Sequence, residues 1–149
     1  MKRLFTTMVA LVALLMAAPI AQAADWFNVM SSNGETIALN PDITVADNGA
    51  SYLVWVRNSF DVPETRAEYS SERGYDKPVA YKLTLYKFTD NWKKFNIVQV
   101  SVYGDDGVPI DQYANTDMES TESKIPSGSP IEAIAQNAKV IYEITTNPE

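Results

Sequence analysis

The chain has 149 residues, no cysteine, no histidine and a formal net charge of −7. Without those two residue types there is no Ser-His-Asp triad, no histidine base, no thiol nucleophile and no thiolate or imidazole metal site. The acidic balance repels phosphate backbones and anionic lipid, so nucleic acid is not an expected partner.

The chain opens Met1-Lys2-Arg3, runs apolar from Leu4 to Ala18, and continues through Pro19 to Ala21-Gln22-Ala23. A positive start, an apolar middle and a small-x-small end predict a cleavable secretory signal over residues 1–23. Its uninterrupted apolar centre, Met8 to Ala18, has 11 residues, short of the ~20 that a bilayer span needs. A single exported domain, residues 24–149, is expected to remain. It keeps 10 basic and 19 acidic residues, a net −9. It has no further stretch resembling a membrane span, and no disulfide, so packing alone must hold it.

Trp26 to Met30 and Glu35 to Leu39 are short β-type runs joined through Asn33-Gly34, a strong hairpin signal because both residues tolerate positive φ. Asn40-Pro41-Asp42 turns the chain into a short strand, Ile43 to Ala46, and Asp47-Asn48-Gly49 turns it again. Ser51 to Asn58 carries Leu53, Val54, Trp55 and Val56 in succession, apolar on both faces, which predicts a central strand. Phe60 to Pro78 is a long charged connection with one expected helical turn around Thr65–Ser71. Val79 to Phe88 alternates, with Val79, Tyr81, Leu83 and Leu85 on one face and Lys82, Thr84 and Tyr86 on the other, as a half-buried strand does.

Asp90-Asn91-Trp92-Lys93 turns into a further strand from Phe95 to Tyr103. Asp105-Asp106-Gly107 precedes a last strand, Val108 to Tyr113, and Ala114 to Gly128 reads as polar loop. Ser129-Pro130-Ile131-Glu132 then supplies an N-cap, a first-turn proline and the glutamate of a capping box. Ile131, Ile134, Ala135 and Ala138 share one face at helical spacing, predicting a helix from Pro130 to about Ile144. The expected fold is α+β: an antiparallel sheet of about five to six strands with one C-terminal helix packed on it.

Three clusters are candidates for chemistry. Asp105, Asp106 and Asp111, with Asp117, Glu119 and Glu122, offer carboxylates for calcium or a glycosidase pair. Their spacing misses the EF-hand template, and a solvated turn followed by an acidic loop is the preferred reading. Asn91-Trp92-Lys93-Lys94 sets an aromatic beside two cations, either a recognition patch or an ordinary turn with its tryptophan folded over the sheet edge. In the charged connection, Arg66, Tyr69, Arg73 and Tyr75 are the residue types most enriched in protein-binding hot spots. They are the candidate protein-binding residues; the other reading is a charged connector whose tyrosines tuck onto the sheet. No catalytic, cofactor or metal residue is assigned, and a hydrolase using carboxylates or a Ser-Lys pair is the remaining enzyme class.

Asp25-Trp26, Ile37-Ala38-Leu39-Asn40-Pro41-Asp42-Ile43, Leu53-Val54-Trp55-Val56-Arg57, Tyr81-Lys82, Tyr86-Lys87-Phe88, Tyr103 and the helix from Pro126 to Ile141 form a pattern. It resembles the surface-adhesin protein E-like family of small exported bacterial proteins over nearly all of the processed chain. The resemblance implies an antiparallel sheet with a C-terminal helix, no enzymatic activity, no cofactor, and an unidentified protein partner of the extracellular or host kind. The family often carries a cysteine near position 88 and another at the C-terminus; here Thr89-Asp90 and the final residues have none. The family's adhesin is lipid-anchored, and no cysteine here can carry a lipid. A soluble periplasmic, envelope-associated interaction protein is therefore the alternative expectation. The matching positions are strand residues, so no binding residue carries over.

Overall fold

A computed structural model describes residues 25–147. The expected signal, residues 1–23, lies outside the described residues. The described residues form eight strands, β1 (Phe27–Ser32), β2 (Glu35–Leu39), β3 (Thr44–Ala46), β4 (Ser51–Phe60), β5 (Val79–Thr89), β6 (Lys94–Gly104), β7 (Pro109–Ala114) and β8 (Ser123–Lys124). Two helices accompany them, α1 (Pro63–Arg73) and α2 (Pro130–Thr146).

All pairings are antiparallel, and β1-β2-β4-β5-β6-β7 follow one another across one sheet. The two remaining strands continue edges already laid down. β3 pairs with the first residues of β4, after β2 has paired with its last five. Asn40 bridges the two by donating its N–H to Trp55 O at 2.8 Å. Likewise β8 pairs with the start of β6 and β7 with its end. The fold is thus an antiparallel meander with a C-terminal helix, an α+β domain.

Strand alternation shows where the helices lie. Tyr52 and Phe60 are eight positions apart in β4, whose pairing has no irregularity, so both point to one face. Tyr52 meets Tyr142 of α2 edge-on at 4.8 Å, and Phe60 stacks on Tyr69 of α1 at 4.5 Å. Both helices therefore cover the same face, at opposite ends of the strands. The larger core lies under α2, where Ile134, Ala135 and Ala138 pack with Leu39, Val54, Val56, Phe88 and Trp92. The smaller lies under α1, where Phe60, Val79 and Val102 pack with Tyr69 and Tyr75.

Several expectations are corrected. The connection from Phe60 to Pro78 contains a helix of 11 residues where one turn was expected. Its stop signals are ordinary: Pro63 in the first turn, Arg73 in the last, and Gly74 at φ 71° as a left-handed cap. It lacks an apolar stripe; its one fully buried residue is Ser70. The domain thus has two helices where one was expected. Val79 leaves the face shared by Tyr81 and Leu83, because a bulge between Val79 and Tyr81 turns it under α1. Thr84 and Phe88, on the other face from Leu83, are buried as well, so β5 is central and covered on both faces rather than half-buried. The polar stretch after Ala114 adds the two-residue strand β8.

Local signals hold the rest. Asn33 and Gly34 take φ of 51° and 76°, as a tight hairpin requires. Ser129 Oγ accepts from the Glu132 N–H at 3.3 Å, and Glu132 Oε1 accepts from the Gly128 N–H at 3.2 Å, one residue short of the usual box. No helix among the described residues is long and apolar enough to cross a membrane.

Candidate functional site

Helix α1 is pinned at both ends. At its start, Gly34 O of the β1–β2 turn accepts from the Asp61 N–H at 2.7 Å and from Thr65 Oγ1 at 3.1 Å. Further along, Ser70 Oγ donates to Arg66 O at 2.7 Å and accepts from the Val79 N–H at 2.9 Å, which joins helix to sheet directly. After Gly74 the chain turns, and the Tyr75 N–H bonds Ser70 O at 2.9 Å. These contacts fix where the four candidate residues fall.

Arg66 is taken up by the fold. Its Nε donates to Phe60 O at 2.7 Å, and its Nη1 pairs with Asp105, tying α1 to the β6–β7 turn. Tyr69, Arg73 and Tyr75 instead converge on a cleft of about 230 Å³ between α1 and the last two long strands. Its floor is Val100 and Val102 of β6, and its far wall is Asp111 and Tyr113 of β7. The Arg73 guanidinium carbon lies 5.4 Å from the centre of the Tyr69 ring, and Lys82 Nζ lies 5.5 Å from it. Tyr75 Oη donates to Asp111 Oδ2 at 2.8 Å.

The electrostatics follow from this crowding. Burial pushes the Tyr69 phenol up, against the pull of Arg73. Burial and then the Asp111 carboxylate push Tyr75 up to about 12. Burial, reinforced by Arg73, lowers Lys82. The cleft therefore presents a guanidinium, neutral phenols, one carboxylate and an apolar floor, a set suited to holding a protein side chain or backbone. Arg73 and Tyr75 were visible in the sequence as residue types. Asp111 stood out only among the carboxylates, and Tyr113 and Lys82 not at all, because only the register brings β5 to β7 beside α1.

The other two sequence clusters disperse. Asp105 is paired with Arg66, and Asp106 Oδ1 accepts from the Val108 N–H at 3.0 Å. Asp117 O accepts from Thr121 Oγ1 at 2.7 Å within its own turn. Among the described residues, no three carboxylates stand close enough to hold a metal ion. Trp92 is a core residue, stacked on Tyr52 at 4.4 Å and packed against Phe88 at 5.3 Å. The turn around it leaves a shallow cleft of about 320 Å³ against Gln136 and Lys139 of α2.

The Tyr103 phenol lies beside the Ser101 hydroxyl. On the same face, away from the helices, Trp26 Nε1, Arg57 Nε and Gln99 Nε2 are closed off from water without a hydrogen-bond partner among the described residues. Each such group costs on the order of 1–3 kcal/mol until something bonds it. No sequence signal marked these residues as a group.

No protein-family model, no curated protein and no solved structure matches the chain.

Proposed function

We propose that the chain is an exported, non-enzymatic domain that binds another protein through the cleft between α1 and the β6–β7 edge. The single observation that carries this reading is the convergence of Tyr69, Arg73 and Tyr75 with Asp111 over the apolar floor of Val100 and Val102. Beside the cleft Tyr113 is 56% exposed, which extends the aromatic surface to the edge of the sheet. The resemblance to the surface-adhesin protein E-like family supports an extracellular or host protein as the partner. The secretory pattern of residues 1–23 supports export.

A second reading shares the export and differs in the partner: a soluble periplasmic protein that docks on an envelope complex. What favours it is β7, an edge strand whose pairing is to β6 alone. The absence of any cysteine to carry a lipid points the same way.

Cell fractionation separates the two. Chain at the cell surface or in the medium supports the adhesin-like role, and binding to immobilised extracellular-matrix protein is then measured for the native chain and for Arg73→Ala with Tyr75→Ala. Unchanged binding by that double variant removes the cleft from the reading. Chain confined to the periplasm sinks direct adhesion and favours the envelope partner.

A further inference from the structure

The candidate cleft holds two cations without a counter-charge. Among the described residues the ion pairs are Arg66–Asp105, Lys87–Asp47 and Lys94–Glu122. Arg73 and Lys82 belong to none of them, although acidic residues outnumber basic ones 19 to 12 in the chain. Both cations stand at the Tyr69 ring, the Arg73 guanidinium carbon 5.4 Å and Lys82 Nζ 5.5 Å from its centre. They repel each other: burial first and Arg73 second lower the Lys82 ammonium, and Glu35 offsets only part of this.

Lys82 is not an ordinary surface lysine. It is half-buried on the central strand β5 and stands across from Val102 of β6. Residues directly across from each other share a face, and Val102 is part of the cleft floor, so Lys82 borders that floor. The carboxylate that lines the cleft is already engaged. Asp111 Oδ2 accepts from Tyr75 Oη at 2.8 Å, and Asp111 Oδ1 accepts from the Gln112 N–H at 2.9 Å. A half-buried ammonium beside a guanidinium, with the nearby carboxylate bonded elsewhere, is the electrostatic complement of an incoming anion.

The rest of the molecule narrows the kind of anion. A net charge of −7 repels a polyanion at long range. The floor of Val100 and Val102 is apolar, and the cleft's volume of about 230 Å³ is room for side chains rather than for a folded element. A single carboxylate with apolar neighbours meets both conditions.

We infer that the cleft selects its protein partner by one aspartate or glutamate side chain flanked by apolar residues, with the carboxylate held by Arg73 and Lys82. This rests on the cleft being the protein-binding site, and it names the chemistry that the partner presents there.

The test titrates three peptides into isotope-labelled protein and follows the amide NMR shifts: acetyl-Gly-Leu-Glu-Leu-Gly-amide, the same peptide with Gln for Glu, and that Gln peptide with a free terminal acid. The expected result is saturable shifts in α1, β6 and β7 with the Glu peptide, and binding about tenfold weaker with both Gln peptides, as loss of a charge-assisted hydrogen bond gives. Arg73→Gln and Lys82→Met each weaken binding of the Glu peptide about tenfold. Lys82→Met also raises the unfolding midpoint of the ligand-free protein, because it keeps the stem and deletes a half-buried ammonium that has no ion pair. No saturable binding of the Glu peptide, equal binding of the blocked Gln peptide, or a lowered midpoint in Lys82→Met overturns the inference. Preference for the free-acid peptide overturns the assignment to a side chain. Arg73→Ala with Tyr75→Ala, measured on the matrix protein, tests the cleft separately. Loss of that binding alongside equal peptide affinities keeps the cleft and removes the carboxylate, whereas unchanged binding there removes both.

Discussion

Tyr75 Oη donates to Asp111 Oδ2 at 2.8 Å, across 36 positions of the chain. The bond joins the turn that follows α1 to the edge strand β7, so it closes one end of the candidate cleft. Tyr75→Phe keeps the ring and loses the bond. The expected cost is about 1 kcal/mol of stability, read by urea unfolding. The expected cost to protein binding is larger in relative terms, because Asp111 then faces the cleft without its partner.

The same phenol supplies a pH prediction. It is pushed up to about 12 by burial first and by Asp111 second. A free tyrosine ionises near ~10. The folded value is the higher one, so the neutral phenol's contribution is complete below about 10 and is lost as pH rises toward 12. Near-ultraviolet absorbance, taken as the difference between native protein and Tyr75→Phe, isolates this ionisation. Asp111→Asn moves it down but not to the free value, since burial remains. Ionisation near the free value in the native protein would show that the phenol is not held against the sheet.

Gly34 and Gly49 separate two reasons for a glycine. Both have positive φ, 76° and 91°. A Cβ at Gly34 would stand 2.6 Å from Val62 Cγ2 and 3.0 Å from Thr65 Cγ2, where the hairpin tip abuts the start of α1. A Cβ at Gly49 meets nothing within 4 Å. Gly49→Ala is therefore expected to cost about 1–2 kcal/mol, the left-handed penalty alone. Gly34→Ala adds a clash worth about 1–3 kcal/mol. Denaturant unfolding of the two variants side by side measures the difference.

The docking of α2 gives a third comparison. Ile134 is buried in the larger core, and Val140 on the same helix is exposed. Ile134→Ala is expected to cost about 2–5 kcal/mol through lost burial and a cavity. Val140→Ala is expected to stay within about 0.5 kcal/mol. Similar losses at both positions would mean that the outer face of α2 is covered in solution.

What could be read in the sequence is what local chemistry determines. Asn33-Gly34 needs only two positive φ values, and Ser129-Pro130-Ile131-Glu132 needs only one turn of helix. The run from Leu53 to Val56 declared a central strand because both of its faces are apolar. Only one turn of α1, around Thr65–Ser71, was legible because the helix's anchor is a serine: without an apolar stripe, its full length was marked only by Pro63, Arg73 and Gly74. Val79 changed face through a bulge that no pattern of alternation announces. Half of the candidate cleft was legible in the same way. Tyr69, Arg73 and Tyr75 stand close in sequence, whereas Asp111 and Val102 reach them only through the β5–β6–β7 register. Arg66 shared their chemistry and went to a backbone carbonyl and Asp105 instead.

Ser70 is the remaining test of how α1 is held. Its hydroxyl donates to Arg66 O and accepts from the Val79 N–H, and the residue is buried. Ser70→Ala removes little volume but leaves the Val79 N–H buried without an acceptor. The expected cost is about 1–3 kcal/mol, more than a serine on an exposed helix face would give. Amide hydrogen exchange distinguishes the cause. Val79 should lose protection ahead of its neighbours Leu83 and Leu85, whose N–H groups lie in the centre of the sheet. Binding through Tyr69 and Arg73 should weaken in step, because the helix that presents them is no longer fixed to β5. If Ser70→Ala unfolds at the native midpoint and Val79 keeps its protection, α1 is held by Arg66 and the Gly34 turn, and Ser70 has no part in positioning the cleft.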